Sequence, residues 1–217
     1  MKPIQAAIFD MDGLLIDSEP LWQDAELVCF RPLGVPITRD ICRESAGRRI
    51  DEVVRLWHER FGWEGPGIDD MVHRVLDEVT RLIMERSVAL PGVYGVIDAL
   101  KSHNIPMAIA SSSPPALIEA VVSKLKLAEY LTLTHSGVHE KHGKPDPAVF
   151  LTTANKLGVS PERCLVFEDA PAGVTAAHRA GMHVVAVPSV FDPTDPAFKI
   201  ADDVLGGLAE FDLNRWL

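Results

Sequence analysis

Asp10 and Asp12, in the stretch Ala7-Ile8-Phe9-Asp10-Met11-Asp12-Gly13, put two carboxylates one residue apart directly after a short apolar run. In a strand, residues i and i+2 share a face, so both side chains are expected to leave the strand end in the same direction. Anions that close repel each other unless a cation or a proton lies between them. The segment therefore calls for a metal, a raised pKa, or both. The competing reading is a solvated turn, for which Asp and Gly are common residues. Three other stretches carry matching chemistry: Ser111-Ser112-Ser113, His142-Gly143-Lys144-Pro145-Asp146-Pro147 and Glu168-Asp169. If they converge, four carboxylates (Asp10, Asp12, Glu168, Asp169) face a single lysine, Lys144. Such a cluster is untenable as anions without a divalent cation, and hard oxygen donors favour Mg²⁺. Mg²⁺ and Lys144 together suit a phosphoryl group. Hydroxyl and backbone N–H groups around Ser111 and Ser112, near a helix start, suit its oxygens.

The elements that must position these residues are visible as changes of period. Residues 4–9 read as a buried strand ending at Asp10, and 106–110 as a short strand ending at Ser111. A weaker strand is expected over 131–134, one over 164–167 that runs into Glu168, and another over 183–187. Ser113-Pro114-Pro115 predicts an N-cap with proline in the first turn of a helix that runs to Leu125. Asp146-Pro147 opens a second helix with Gly158 just past its end, and 172–180 forms a third closed by Gly181. Strands separated by helices of this length imply a Rossmann-like, doubly wound parallel α/β sheet with right-handed crossovers. Ligands of such sheets bind beyond the carboxyl ends of the strands, where all four stretches fall.

Residues 17–88 break the alternation. They give no strand signal, while Ile50, Val53, Val54, Trp57 and Phe61, and then Val72, Val75, Leu76, Val79, Leu82 and Ile83, recur at helical spacing. The expected organisation is an α/β core from 1–16 and 89–217, with an all-helical insertion over 17–88 lodged after the first strand.

The totals narrow the classes. A formal net charge of −10 opposes nucleic acid or an anionic membrane as partner. It also leaves an anionic substrate dependent on local cations. Cys29, Cys42 and Cys164 are scattered, without a Cys-x-x-Cys pair, which fits a reducing compartment and predicts neither a disulfide framework nor a zinc site. Met1-Lys2-Pro3 leads straight into the first strand and no apolar run is long enough to span a bilayer, so a cytoplasmic location is expected.

Taken in order, Asp10-x-Asp12-Gly13, Ser111, Lys144 and Glu168-Asp169 resemble the four motifs of the haloacid dehalogenase superfamily of phosphohydrolases. The helical insertion resembles that family's small cap domain, and the match extends over essentially the whole chain. Phe9-Asp10-Met11-Asp12-Gly13-Leu14-Leu15-Ile16-Asp17-Ser18-Glu19-Pro20-Leu21-Trp22 is most similar to bacterial sugar-phosphate phosphatases of the hexitol phosphatase and 2-deoxyglucose-6-phosphate phosphatase type. Segments 142–147 and 166–171 also resemble pseudouridine 5′-phosphatases. The resemblance implies that Asp10 is the nucleophile and that Asp12, its pKa raised by surrounding anions, protonates the leaving alkoxide and later activates water. It implies metal ligation by the Asp10 carboxylate, the Asp12 backbone carbonyl and Asp169, with Glu168 either joining them or orienting the metal's waters. Ser111, Ser112 and Lys144 would hold phosphate oxygens.

Departures from the family patterns add detail. A dehalogenase needs no second acid, so Asp12 favours phosphoryl transfer. No lysine lies between 17 and 88, which opposes the Schiff-base chemistry of phosphonoacetaldehyde hydrolases. Trp22 stands where β-phosphoglucomutases carry a cap histidine, which favours a phosphatase, although Arg49 falls where a mutase-like arginine could touch substrate. Glu19, Trp22 and Arg49 are the candidates for substrate selectivity, each against a plain packing or solvated role; Arg48 is weighed the same way. His139 and His142 lack a third ligand and read as solvated loop residues.

The expected function is Mg²⁺-dependent hydrolysis of a small phosphomonoester, a hexose or hexitol phosphate, with no nucleic-acid, membrane or protein partner. The alternatives are a β-phosphoglucomutase-like mutase, a pseudouridine 5′-phosphatase and a non-catalytic phosphate-sensing domain.

Overall fold

The computed structural model describes residues 3–217; Met1 and Lys2, the expected lead-in to the first strand, lie outside them. Six parallel strands form one sheet: β1 (Ala6–Phe9), β2 (Met107–Ser111), β3 (Leu131–Ser136), β4 (Cys164–Glu168), β5 (His183–Ala186) and β6 (Asp203–Val204). Their order is β3-β2-β1-β4-β5-β6, so the chain builds outward from β1 to one side and then to the other. The reversal of direction beside β1 opens a crevice at the carboxyl ends of β1, β2 and β4. β6 is only two residues long, too short for any periodic signal.

The buried strands alternate between two cores, as period 2 requires. Ala7, Phe9, Ile109, Leu165, Phe167 and Val185 face one side; Ala6, Ile8, Ala110, Val166 and Val184 face the other. Helices α5 (Val93–Ser102) and α6 (Pro115–Lys124) cover the first side with Ile97, Leu100, Ile118 and Val121. Helices α7 (Ala148–Leu157) and α8 (Pro171–Arg179) cover the second with Phe150, Ala154, Val174 and Ala177. Phe9 and Phe167 stack across β1 and β4 at 4.8 Å, stiffening the two strands that end in acids.

Between β1 and α5 come four helices: α1 (Glu19–Phe30), α2 (Arg39–Arg43), α3 (Ile50–Phe61) and α4 (Ile68–Arg86). The stripes in α3 and α4 bury Val53, Val54, Trp57, Val75, Val79 and Ile83 in a core shared with α1. The insertion's two connections are tied at their base, where Ile16 bridges Ala89 and the Leu90 N–H bonds the Leu15 carbonyl at 3.0 Å. Lys124 Nζ donates to the Met84 carbonyl at 2.7 Å and Arg49 Nη1 to that of Glu140 at 3.3 Å, linking insertion and sheet domain.

One capping expectation needs correction. Helix α6 is capped by Pro114 rather than Ser113. The Ser113 hydroxyl instead donates to Asp12 Oδ2 at 2.7 Å, a charge-assisted bond that turns the side chain toward the crevice and away from the N–H groups of the first helical turn.

Candidate active site

Asp10 is the first residue beyond β1, and its N–H still bonds the Phe167 carbonyl of β4 at 2.9 Å. That bond fixes the backbone and aims the carboxylate across the crevice. Lys144 Nζ, reaching in from the loop before α7, donates to Asp10 Oδ1 and to Glu168 Oε1, both at 2.5 Å. All three side chains are buried. The other Glu168 oxygen accepts the Ala170 N–H at 2.9 Å, and Asp169 Oδ2 accepts the Ser189 hydroxyl at 3.0 Å. One oxygen from each of Asp10, Glu168 and Asp169 lies within 4.8 Å of the other two.

Two glycines make room for this cluster. A Cβ on Gly173, in the first turn of α8, would overlap the Glu168 carboxylate. Gly13 has φ +79, and a Cβ there would overlap the Asp169 carboxylate.

Burial pushes the Asp10 carboxyl up to about 7; Glu168 and Asp12 add to the rise and Lys144 opposes it. Asp169 is likewise pushed well above the usual carboxylate range, by burial first and then by its acidic neighbours. Burial alone would pull the Lys144 ammonium down, yet the Asp10 and Glu168 charges outweigh it and hold it above its usual value. Three buried carboxyls against one ammonium leave the cluster short of positive charge. Its all-oxygen donor set fits Mg²⁺ and offers nothing to a thiophilic metal.

Asp12 belongs to a different neighbourhood. Its Oδ1 accepts the Ser18 hydroxyl at 2.7 Å and the Trp22 indole N–H at 3.1 Å; its Oδ2 accepts Ser113 Oγ at 2.7 Å and Ser111 Oγ at 3.4 Å. The two aspartates therefore open into one cavity with separate partners, one among cation-seeking acids and one among hydroxyls. Ser111 Oγ also accepts the Ser113 N–H at 3.0 Å, and Ser112 lines the same cavity.

The insertion forms the opposite wall. Glu19 lines it, its carboxyl raised by burial and bonded to Gln23 Nε2 at 3.0 Å; Trp22 lines it beside Asp12. Arg49 is committed elsewhere, to Asp51 at 3.1 Å and to the Glu140 carbonyl, while its neighbour Arg48 lines the cavity. Ser18, Ser189 and Gly173 carry no signal for the site in the sequence, and Ser113 carries one only as the last of the Ser111-Ser112-Ser113 stretch. Ser113 had a competing cap role, and Ser189 stands in an irregular segment without periodicity. Only packing brings them to the acids.

A family model described as haloacid dehalogenase-like hydrolase matches residues 4–181. The chain belongs to that family. It is 40% identical over 210 residues to hexitol phosphatase B of Escherichia coli (strain K12), covering 96% of this chain and 95% of that one. It is 34% identical over 179 residues to the phosphorylated carbohydrates phosphatase of Thermotoga maritima, with 82% of each chain covered. The fold is also that of a β-phosphoglucomutase from Clostridium difficile, at TM-score 0.86 and 24% identity over 98% of this chain and 95% of that one. The chain is an enzyme, a phosphatase of the haloacid dehalogenase-like family. No helix among the described residues is long and apolar enough to cross a membrane.

Proposed function

We propose that this phosphatase uses Mg²⁺ to hydrolyse small phosphomonoesters of sugars or sugar alcohols through an aspartyl-phosphate, with residues 17–88 acting as a cap over the core. The observation that carries this reading is the separation of the two aspartates. Asp10 bonds Lys144 beside Glu168 and Asp169, whereas the Asp12 carboxylate is held by the Ser18, Ser111 and Ser113 hydroxyls and the Trp22 indole N–H.

Asp10 Oδ attacks phosphorus in line, the P–O bond to the leaving group breaks, and Asp12 supplies the proton that the alkoxide takes up. Water then attacks the phosphorus, Asp12 receives its proton, and Asp10 is released with inorganic phosphate. Lys144 holds a phosphoryl oxygen and screens Asp10 from the incoming anion. Ser111 and Ser112 bind further phosphoryl oxygens at the end of β2. Asp10, Asp169 and the Asp12 backbone carbonyl would hold Mg²⁺, with Glu168 beside them; when bound, the ion supplies charge that stabilises the phosphoryl oxygens. The sugar class is supported by the names of the relatives and by a cavity wall that mixes Trp22 with polar groups. Three free cysteines, two of them buried, support a reducing, cytoplasmic setting.

The test is phosphate release from hexitol and hexose monophosphates with Mg²⁺, with EDTA, and with Asp10→Asn. Chelation and the substitution should each lower kcat by more than about 10³-fold while far-UV circular dichroism stays the same. Near-normal turnover in Asp10→Asn would overturn the covalent route.

A further inference from the structure

One buried acid in the insertion has no part in the chemistry above. Glu26 lies on α1, four residues after Trp22 and seven after Glu19, a spacing that puts all three on one face of the helix. The Trp22 indole N–H reaches Asp12, so one end of that face is anchored at the reacting groups. Glu26 stands one turn further on, about 6 Å along the helix axis, and still lines the cavity that contains Asp10 and Asp12. That span is comparable with an extended sugar carbon chain.

The side chain is held rigidly. Trp57, fully buried, donates its indole N–H to Glu26 Oε2 at 2.8 Å, and the Cys42 thiol is also hydrogen-bonded to the carboxyl. Ile50 and Val53 supply apolar wall beside it. A carboxyl buried in such surroundings is costly unless hydrogen-bonding partners meet it, and a ligand hydroxyl is such a partner. The insertion's share of the cavity lining carries two acids, Glu19 and Glu26, against one base, Arg48. A second anionic group on the substrate would meet like charge there.

We infer that Glu26 determines specificity: its carboxyl hydrogen-bonds the hydroxyl groups of the substrate's end remote from the phosphate and rejects a second phosphate at that place. The inference rests on the hydrolysis of sugar or sugar-alcohol monophosphates proposed for the same cavity and adds the residue that selects them and the exclusion of bisphosphates. Burial raises the Glu26 carboxyl to about 7, so it both donates and accepts hydrogen bonds near neutrality.

The experiment compares kcat and KM at pH 8 for a hexitol 6-phosphate, a hexose bisphosphate and p-nitrophenyl phosphate, which has no distal hydroxyls. Wild type, Glu26→Leu and Glu26→Gln are assayed with Mg²⁺. In Glu26→Leu the ratio of kcat/KM for the hexitol phosphate to that for p-nitrophenyl phosphate should fall by about 30-fold or more, chiefly through KM. Glu26→Gln, which keeps hydrogen bonding and loses the charge, should hold that ratio within about fivefold and raise the relative rate on the bisphosphate about tenfold. Equal losses on every substrate in Glu26→Leu would mean that Glu26 only holds the insertion together, and the inference fails. If Glu26→Leu does not fold, a Glu26→Gln enzyme that rejects the bisphosphate as strongly as wild type overturns it. Hydrolysis of p-nitrophenyl phosphate by wild type separates these failures from that of the proposed reaction; its absence would bring both down.

Discussion

Among the described residues Lys144 is the only positive charge bonded to the acidic cluster, and each of its two carboxylate contacts is buried. A buried pair is a modest source of net stability, but removing one partner strands the other charge in a medium that solvates it poorly. Lys144→Met strands two such charges beside Asp169. Denaturant unfolding without Mg²⁺ should show a loss of about 3–5 kcal/mol, part of it recovered when Mg²⁺ is added. A loss below about 1 kcal/mol would mean that the carboxylates are already neutral or solvated. Asp12 shows a different design, with four donors drawn from β2, the loop after it and the start of α1. Its orientation therefore depends on where the insertion begins, so the chemistry is linked to the placement of α1.

Helix α1 is where stability and recognition meet. Its inner face buries Leu21, Ala25 and Phe30, and the same helix presents Glu19, Trp22 and Glu26 to the cavity. Glu26 has a pKa raised from 4.5 to about 7, by burial first, with the Trp57 and Cys42 hydrogen bonds opposing. The fold thus holds a proton that the unfolded chain has already lost, so stability falls as pH rises from about 4.5 to about 7 and levels off above that. The integrated effect of this one group is about 2–4 kcal/mol. Glu26→Gln keeps an acceptor for Trp57 and has no proton to lose. Relative to wild type, the variant should gain stability steadily across that window in parallel urea titrations. A difference that does not change with pH would show that Glu26 is ionised in the fold as easily as in the unfolded chain.

The molecule as a whole carries a formal charge of −10, and its substrates are anions. Attraction is confined to the buried site, while the long-range field is repulsive. Raising monovalent salt from about 10 to 200 mM shortens the Debye length from about 30 to below 10 Å. At saturating Mg²⁺, kcat/KM should therefore rise by about two- to threefold, opposite to an electrostatically steered enzyme. A steep fall in the same titration would reveal a local positive funnel stronger than the net charge.

Local signals carried much of this architecture. Short apolar runs, the glycines after α7 and α8 and the helical stripes of α3 and α4 are nearest-neighbour patterns, and each strand end delivers its polar residues wherever the strand sits. Asp10, Lys144, Glu168 and Asp169 were legible for that reason: their types are costly to bury, so their presence at strand and loop ends already implied a counter-charge. The assignment of partners was not legible. Ser113 turned from a helix cap to Asp12, Arg49 turned to the Glu140 carbonyl while Arg48 took the cavity, and Glu26 joined the wall through Trp57, thirty-one residues away. Those choices depend on which groups from distant segments arrive within hydrogen-bonding range once the insertion folds against the sheet. One-dimensional spacing determines which face of its own element a side chain occupies; the packing of elements alone decides what meets it there.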